Sequence, residues 1–486
     1  MAARIDAVTA RPGRRLPPSP LIYEINTWPW LTELSTREGR DVDLGSVPGI
    51  EWDRLATLGF DAVWMMGVWR RSVVGVEIAL ADAALMEWFA DSLAGFTPDD
   101  VVGSPYSVAD YVVDEHLGGP DGLAVARAEL ARRGIGLILD YVPNHVAPDH
   151  SWTADPTAFI TGSADDLAQH GDSFVAVGDA VLANGRDPYF PAWQDTVQVN
   201  AFSPVLRELT IDAVRAIATR CDGVRCDMAM LMMNDVFART WGDRAGPRPA
   251  DEFWPRVIAA VRADHPEFRF IAEAYWDTES ALAAQGFDHC YDKSLYDTLV
   301  HEPSVLWARL PEDASAQRKL LRFIENHDEP RASRVFGERD RLAAVVTLTQ
   351  IGARLIHHGQ IEGRRIRVPV QLRRFPDEPV DADRAVFYRA LLGALADETF
   401  RAGEWRRCAS DGDVVAWSRS GPGHWVVAVN VGDDVASGTL AAPIEAQWEN
   451  PLTGEVLRPR DDRLRVSLGP WGWQLYRAIT PSTTES

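Results

Sequence analysis

The sequence has little of what marks secreted, membrane-spanning or nucleic-acid-binding proteins. Its 486 residues include four cysteines, too few and too scattered for a disulfide framework, so we expect free thiols. It contains no run of about 18 apolar residues and no apolar signal-peptide core, which predicts no membrane span and a cytoplasmic location. The formal net charge of −22 disfavours nucleic acid and anionic membranes as partners, because phosphate binding needs a basic surface.

Short apolar runs alternate with amphipathic segments over the first 400 residues. The segments between the runs, such as 121–134 and 203–220, repeat their apolar residues at helical intervals. Continuous apolar strands separated by helices are typical of a parallel sheet covered on both faces, and eight of them predict an α/β protein with a (β/α)₈ TIM barrel. The runs are 21–26, 60–66, 135–142, 222–228, 268–275, 287–293, 320–326 and 353–359.

Two stretches depart from this alternation. After the third run, a long segment rich in Asp, Pro and aromatic residues predicts an inserted subdomain. From about residue 401 short strands alternate with turns, which predicts an antiparallel C-terminal β-sandwich domain. The predicted parts are a disordered N-terminal segment 1–20, a catalytic barrel in two pieces, 21–145 and 201–400, the insertion 146–200, and the β domain 401–480.

Four of the eight runs carry acidic residues or histidine at their carboxyl ends. In a (β/α)₈ barrel these ends converge on one mouth, where the chemistry of such proteins takes place. Arg225 and Asp227 lie in a run that otherwise looks buried, and a buried charge persists only when it is paired or used. We therefore expect these two side chains at the mouth. The other residues at these ends are Asp140, Asn144, His145, Glu273, His327 and Asp328.

These residue types suit the cleavage of a glycosidic bond. That reaction needs two carboxylates on one sugar, and a third stabilises the electron-poor transition state. Arg225, two residues before Asp227, would keep that aspartate ionised. The apolar residues after Glu273, Ala274 to Trp276, would raise the pKa of Glu273 and keep it protonated as the acid.

Four motifs in this order resemble the α-amylase family of retaining α-glycosidases and transglycosylases, glycoside hydrolase family 13. DYVPNH resembles the first signature of the family, DGVRCD the second, EAYW the third and ENHDEP the fourth. SPYSVADY, at 104–111, is similar to the tyrosine-bearing segment after the second strand. The resemblance extends to the insertion after the third strand and to the C-terminal β domain.

Residue by residue, the resemblance implies catalytic roles for three carboxylates. Asp227 would be the nucleophile, Glu273 the general acid/base and Asp328 the transition-state stabiliser. It also implies that Arg225 orients the nucleophile with support from Asp140. In the −1 subsite, which holds the sugar that is cleaved off, His145 and His327 would bind hydroxyls and Tyr106 would stack on the ring. Among the aromatic residues near strand ends, Trp193 and Trp276 are the ones we expect to contact sugar.

The departures from the family pattern concern the acceptor side and calcium. Many members have a Lys-His pair three and four residues after the nucleophile, where this chain has Met230 and Leu231, which predicts an apolar acceptor side. Many members bind a structural calcium through an aspartate at the position of Gln198. Asn144 remains, but calcium prefers several hard, charged oxygens, so we predict no cofactor and no calcium site.

The expected function is retaining hydrolysis of α-glucans or α-gluco-oligosaccharides through an aspartyl-glycosyl intermediate, with a carbohydrate as the only expected partner. Two alternatives stay open. One is a glucanotransferase, phosphorylase or isomerase acting on maltose, trehalose or sucrose; the other is an inactive scaffold barrel. The sequence leaves open the linkage, the oligomeric state and whether Arg364, Arg365 and Arg367 bind an anionic group or pair with acidic side chains.

Overall fold

A computed structural model describes residues 16–310, 312–410, 412–441 and 447–479. Its centre is a closed barrel of eight parallel strands, in which each strand pairs with its neighbours in chain order and the first pairs with the eighth. Every predicted run supplies one strand, so the predicted (β/α)₈ barrel is confirmed. The strands are Leu21–Asn26, Ala62–Met66, Gly136–Tyr141, Gly223–Cys226, Arg269–Ala272, His289–Tyr291, Leu320–Arg322 and Ala353–His357.

Helices pack around the barrel through apolar faces. Pro204–Ala218 buries Leu206, Ile211 and Val214 against the strands, and the Ser203 hydroxyl accepts a hydrogen bond from the Leu206 amide at its start. The other helices that follow barrel strands are Thr27–Glu38, Gly49–Thr57, Gly119–Arg132, Asn234–Trp241, Phe253–Asp264, Glu279–Ala284, Lys293–His301, Asp340–Leu348 and Ala382–Leu395. Shorter helices are Leu306–Arg309, Ala314–Arg318, Ala332–Val335 and Thr399–Ala402.

Two connections at the carboxyl ends of the strands are long. The connection after the second strand forms the antiparallel pair Trp69–Arg71 and Val108–Val113, with the helices Val73–Ala81 and Ala83–Ser92 between them. The insertion after the third strand is built from short elements. These are His145–Val146 paired with Val197–Gln198, the helix Ala164–Gln169, and the hairpin Phe174–Val177 and Ala180–Ala183.

The C-terminal part is antiparallel, as predicted. A six-stranded sheet faces a two-stranded sheet, and the side chains of Val426, Trp448 and Leu464 are buried between them. The larger sheet contains Glu404–Arg407, Val415–Ser420, His424–Val429, Trp473–Ile479, Gln447–Glu449 and Val456–Leu457. The smaller sheet pairs Ala436–Ala441 with Arg463–Leu468.

The predicted disordered N-terminal segment falls largely, at 1–15, outside the described residues. Residues 16–20 differ from the prediction because they pack against the barrel. Leu16 is 3% exposed, the Ser19 amide donates to the Arg401 carbonyl at 3.1 Å, and the Ser19 hydroxyl accepts from the Gly352 amide at 3.0 Å. None of the helices described is both long and apolar enough to cross a membrane.

Candidate active site

The predicted site residues meet at one end of the barrel. Arg225 pairs in register with Asp140 on the third strand and with Ile271 on the fifth, so the fourth strand places its guanidinium between two other motifs. Asp227 and Glu273 directly follow the fourth and fifth strands. Because parallel strands end at the same rim, motifs that are far apart in the chain converge at this mouth.

Arg225 links the carboxylates. Its guanidinium is 1% exposed, and Nη1 donates to Asp227 Oδ1 at 2.7 Å. Nη2 lies 2.8 Å from Glu273 Oε2 without the geometry of a hydrogen bond. Asp140 and Asp328 each approach the guanidinium to 4.0 Å. The buried Arg225 guanidinium therefore faces four carboxyl groups. Its positive charge offsets their mutual repulsion and allows them to lie close together.

Glu273 has the environment of a protonated acid. Its side chain is 3% exposed, the Met228 amide donates to Oε2 at 2.6 Å, and the Tyr275 hydroxyl donates to Oε1 at 2.9 Å. Burial is the largest influence and raises the pKa of Glu273 to about 8, with Asp227 adding to the rise and Arg225 opposing it. At neutral pH this carboxyl therefore holds a proton that it can donate.

Asp328 has the opposite environment. Its side chain is 45% exposed and faces the open mouth, and Oδ2 lies 3.0 Å from His327 Nε2. Burial acts to raise its pKa, but the charge and hydrogen bond of His327, together with Arg225, outweigh it and lower the pKa to about 2. Asp328 is therefore an anion over the whole neutral range.

His327 was predicted as a sugar ligand, and the structure gives it two further contacts. Its ring stacks on Tyr106 at 5.4 Å between centroids, and the Tyr106 hydroxyl is 2.7 Å from Nε2. Its Nδ1 lies 2.6 Å from Oε1 of Glu24, a residue of the first strand that the sequence analysis did not select. Glu24 was missed because the sequence analysis selected residues at the carboxyl ends of strands, and Glu24 lies inside one. A single acidic residue within an otherwise apolar run could have pointed to it.

The remaining predicted residues lie around this cluster. Asp140 accepts hydrogen bonds from Trp64 Nε1 at 3.1 Å and from the Gly67 amide at 3.0 Å. Burial raises the pKa of Asp140 to about 6. His145 packs against the Trp193 ring at 5.0 Å, and burial lowers its pKa, so it is a neutral imidazole. Trp193 is thus half-buried against this histidine.

The structure corrects the prediction that Met230 and Leu231 line the acceptor side. Met230 and Leu231 are 0% and 2% exposed, because a short 3₁₀ turn after Met228 directs both into the core. Trp276, three residues after Glu273, is partly exposed. Trp276 meets Tyr189 of the insertion edge to face, with 4.8 Å between ring centroids.

The arginine cluster 364–367 does not act as one unit. Arg364 donates to Glu33 at 2.7 Å, so the acid-pairing interpretation holds for this residue. Arg365 is exposed, and its backbone amide donates to Glu378. Arg367 donates to the Asp328 carbonyl and stacks over the Trp88 ring of the helix Ala83–Ser92 at 5.0 Å, which brings this helix to the edge of the mouth.

The residues at the expected calcium position do not fit that ion. Gln198 is fully buried, and its Nε2 donates to the Asn144 carbonyl and to Asn144 Oδ1, both at 2.9 Å, and to the Val199 carbonyl at 3.0 Å. Its Oε1 accepts from the Arg186 amide at 3.2 Å, which fixes the orientation of the carboxamide. A neutral N–H group thus takes the oxygens that a cation would need. Among the residues described, no three His, Cys, Asp or Glu side chains form a cluster suited to a metal ion.

Comparison with known proteins supports this arrangement at the level of fold. No family model matches the chain. The α-1,4-glucan:maltose-1-phosphate maltosyltransferase of Rhodospirillum rubrum is 26% identical over 237 residues, 47% of this chain. The cyclomaltodextrinase of Geobacillus thermopakistaniensis is 22% identical over 406 residues, 76% of this chain. The chain spans 30% of the length of the first relative and 64% of the second.

A solved structure covers nearly the whole chain. The α-amylase of Geobacillus thermoleovorans, crystallised with acarbose, superposes with a TM-score of 0.68 at 17% identity and covers 96% of this chain and 100% of its own. This chain thus has the fold of the α-amylases, as the resemblance of its four motifs implies.

Proposed function

We propose that this protein is a retaining glycosidase that acts on α-glucans or α-gluco-oligosaccharides. The observation that carries the proposal is the pair of contacts at Arg225, 2.7 Å to Asp227 and 2.8 Å to Glu273, with Asp328 at the open side of the same cluster. One buried guanidinium holds a nucleophile and an acid beside each other. In a glycosidase, this pair and a third anion are the groups that the chemistry requires.

The roles follow from the surroundings of each carboxyl group. Asp227 Oδ attacks the anomeric carbon while Glu273 gives its proton to the glycosidic oxygen, so the C–O bond to the leaving sugar breaks and an Asp227 ester forms. Glu273, now an anion, takes a proton from an incoming water or sugar hydroxyl. That oxygen attacks the anomeric carbon, the ester bond breaks, and Asp227 returns as a carboxylate. Asp328, held ionised by His327, stabilises the positive charge that develops on the sugar.

Retention is favoured over inversion by the spacing of the two carboxyl groups. Retaining enzymes place them about 5–5.5 Å apart, whereas inverting enzymes need about 6.5–9.5 Å to admit a water. Asp227 and Glu273 contact neighbouring nitrogens of one guanidinium, which favours the shorter spacing. Tyr106, whose ring lies against Arg225, and His145, which interacts with Asp227, would bind the ring and hydroxyls of the −1 sugar.

Transfer to a second sugar is the other candidate, and the aromatic pair on the acceptor side favours it. Trp276, three residues after Glu273, is partly exposed and meets the exposed ring of Tyr189, and sugar rings stack on such faces. The relatives include a protein named as a maltosyltransferase and one named as a cyclomaltodextrinase. An inactive scaffold is disfavoured, because such a protein would have no use for Arg225 and three acids held together at the cost of burial.

We also propose that the protein works in the cytoplasm. All four cysteines are free, and Cys221, Cys226 and Cys290 are buried. Burial raises the pKa of each of these three thiols, which keeps them in the unreactive thiol form. Free, buried cysteines of this kind suit a reducing compartment. Fractionation of cells expressing the tagged full chain, with a periplasmic and a cytoplasmic marker, tests this.

The function is tested by proton NMR of the protein with maltoheptaose, maltose, trehalose and sucrose, each with and without phosphate. Hydrolysis with retention gives α-anomeric signals first, transfer redistributes chain lengths, and phosphorolysis gives a sugar phosphate. The control is Asp227→Asn, which is expected to give none of these. Absence of turnover by the wild-type protein with all four sugars and with α-glucosyl fluoride would overturn the proposal.

A further inference from the structure

Glu24 is a buried acid that none of the roles above uses. It lies in the first barrel strand, is 0% exposed, and pairs through its backbone with the second and eighth strands. Its Oε1 lies 2.6 Å from His327 Nδ1 and accepts from the His327 amide at 3.3 Å. Its Oε2 has no hydrogen-bond partner among the described residues. A carboxylate in such a place needs a cation nearby.

The opposite nitrogen of the same imidazole faces a second carboxylate. His327 Nε2 is 3.0 Å from Asp328 Oδ2 and 2.7 Å from the Tyr106 hydroxyl. A neutral imidazole carries one N–H and can donate to one side only. Carboxylates at both nitrogens are satisfied together when the ring is an imidazolium. The contacts therefore form a chain of opposite charges from Glu24 through His327 to Asp328.

Other charged groups face this chain from the surrounding strands. Arg225 is the second cation and lies 4.0 Å from Asp328. The Asp140 carboxyl and the Tyr291 hydroxyl interact electrostatically with His327 and Glu24 respectively, and the neutral His357 faces Glu24 from the eighth strand. Arg225 already serves Asp227 and Glu273, and Arg367 acts on Asp328 more weakly than His327 does. His327 is therefore the principal cation for Asp328, and Glu24 is the anion that compensates it.

We propose that Glu24 is a positioning residue that holds His327 as an imidazolium and thereby keeps Asp328 ionised and directed at the −1 sugar. This inference rests on the proposed function for its catalytic consequence, but its electrostatic part stands on the contacts alone. Burial acts to lower the pKa of His327, and Asp328 and Glu24 together outweigh it and raise the pKa well above its ordinary value. Without the Glu24 charge, less attraction offsets the effect of burial on His327. The pKa of His327 therefore falls, and the ring releases its proton at lower pH.

The first experiment measures the protonation of His327 directly. Full-length protein labelled with ¹⁵N-histidine is titrated by NMR from pH 5 to pH 9, and the His327 signals are assigned by their loss in His327→Asn. The wild-type ring should remain protonated at both nitrogens up to pH 8. In Glu24→Gln, which keeps an acceptor oxygen in the same place without the charge, the midpoint should fall by at least one pH unit. Equal midpoints in the two proteins would overturn the proposal.

Two variants separate this role from a purely structural one. Glu24→Asp keeps the charge on a shorter side chain and should restore part of the protonation if the charge matters. Glu33→Gln removes the acid of another Glu–His pair, in which Glu33 lies 3.3 Å from His358 Nε2, and should leave His327 unchanged. If Glu24→Gln does not fold, Glu24→Asp still decides the point. The His327 midpoint in Glu24→Asp should lie below that of the wild type while the ring stays protonated at pH 7, and a neutral ring at pH 7 in the wild type or in Glu24→Asp would contradict the proposal.

The second experiment measures turnover of maltoheptaose and α-glucosyl fluoride against pH. The ratio of wild-type to Glu24→Gln activity should be close to one near pH 5, where His327 is protonated in both proteins. As pH rises past the His327 midpoints, the ratio should grow by about tenfold for each unit by which the midpoint falls in Glu24→Gln. A ratio that is the same at every pH would indicate a structural role and reject ours. If the wild-type protein turns over no α-glucoside, the proposed function fails, while the NMR titration still decides the role of Glu24.

Discussion

The two sides of the mouth are built differently. The carboxylate side consists of Asp227, Glu273, Asp328, Arg225 and His327, which lie at strand ends and contact one another at 2.7–4.0 Å. The proposed acceptor side consists of Trp276 and Tyr189, which lie in connections and meet edge to face. Strand ends bring the charged groups together, whereas the aromatic pair is carried by connections, the parts of such folds that vary most.

The backbone shows the same contrast. Met228, Trp276 and Asp277 have φ angles of 41°, 60° and 59°, the left-handed region that non-glycine residues seldom adopt. Such conformations cost of order 1–3 kcal/mol each and persist where the surroundings hold them. Met228 donates its amide to Glu273, and Trp276 meets Tyr189, so the turns at both residues serve contacts on the boundary between the two sides.

The largest effect is expected when the carboxylate side loses its nucleophile. Asp227→Asn keeps the shape and removes the charge that attacks the anomeric carbon, so kcat should fall roughly 10⁴-fold or more. Initial rates with maltoheptaose measure this, and the surface variant Asp235→Asn, on an exposed helix position, is the matched control. Activity within tenfold of the wild type would rule out Asp227 as the nucleophile.

Glu273→Gln should separate proton donation from bond cleavage. Turnover of maltoheptaose should fall about 10²–10⁴-fold, because its leaving group needs a proton. Turnover of α-glucosyl fluoride should fall much less, because fluoride leaves without one. In the wild-type protein, kcat/KM for maltoheptaose should decline as pH rises through the raised pKa of Glu273, about 8. An equal loss with both substrates would mean that Glu273 is not the acid.

The same raised pKa has a consequence for stability. Between the ordinary pKa of 4.5 and about 8, folded Glu273 holds a proton that the unfolded chain has released. The unfolded state binds fewer protons in this window, so the free energy of unfolding decreases as pH rises. Glu273→Gln lacks this penalty. Its melting temperature should exceed that of the wild type at pH 8 by more than at pH 5, and a difference of the opposite sign would contradict the raised pKa.

The sequence predicted the carboxylate side well because its signals are local. Asp227 and Arg225 stand in a run that would otherwise be buried, and parallel strand ends bring such runs together by topology alone. Glu24 escaped notice because nothing in LIYEIN indicates which residue it meets 303 positions later. Met230 and Leu231 were assigned to the acceptor side because a Lys-His pair stands at these positions in many α-amylase family members. The 3₁₀ turn that buries them here depends on packing that the family pattern does not encode.

Gln198 belongs to neither side, and it ties the insertion to the segment after the third strand. Gln198→Asp would place a carboxylate against three acceptor oxygens of Asn144 and Val199, which should destabilise the protein by about 2–4 kcal/mol in the absence of metal. Calcium should restore part of this loss, because the oxygens would then face a cation. Wild-type stability should not respond to calcium or to a chelator, and a chelator-sensitive melting temperature would show that it binds the ion after all.

The smallest effect is expected on the acceptor side. Trp276→Ala removes one ring of the Trp276–Tyr189 pair, and aromatic contacts of this kind are worth about 0.5–1.5 kcal/mol, or about 2- to 12-fold in binding. The loss should appear in the ratio of transfer to hydrolysis measured with maltose as acceptor, while hydrolysis of α-glucosyl fluoride stays within about twofold. Trp276→Phe keeps an aromatic face and is the matched control. If both variants lower hydrolysis and transfer equally, Trp276 acts by supporting the turn after Glu273, and the separation between a charged chemical side and an apolar acceptor side does not hold at this residue.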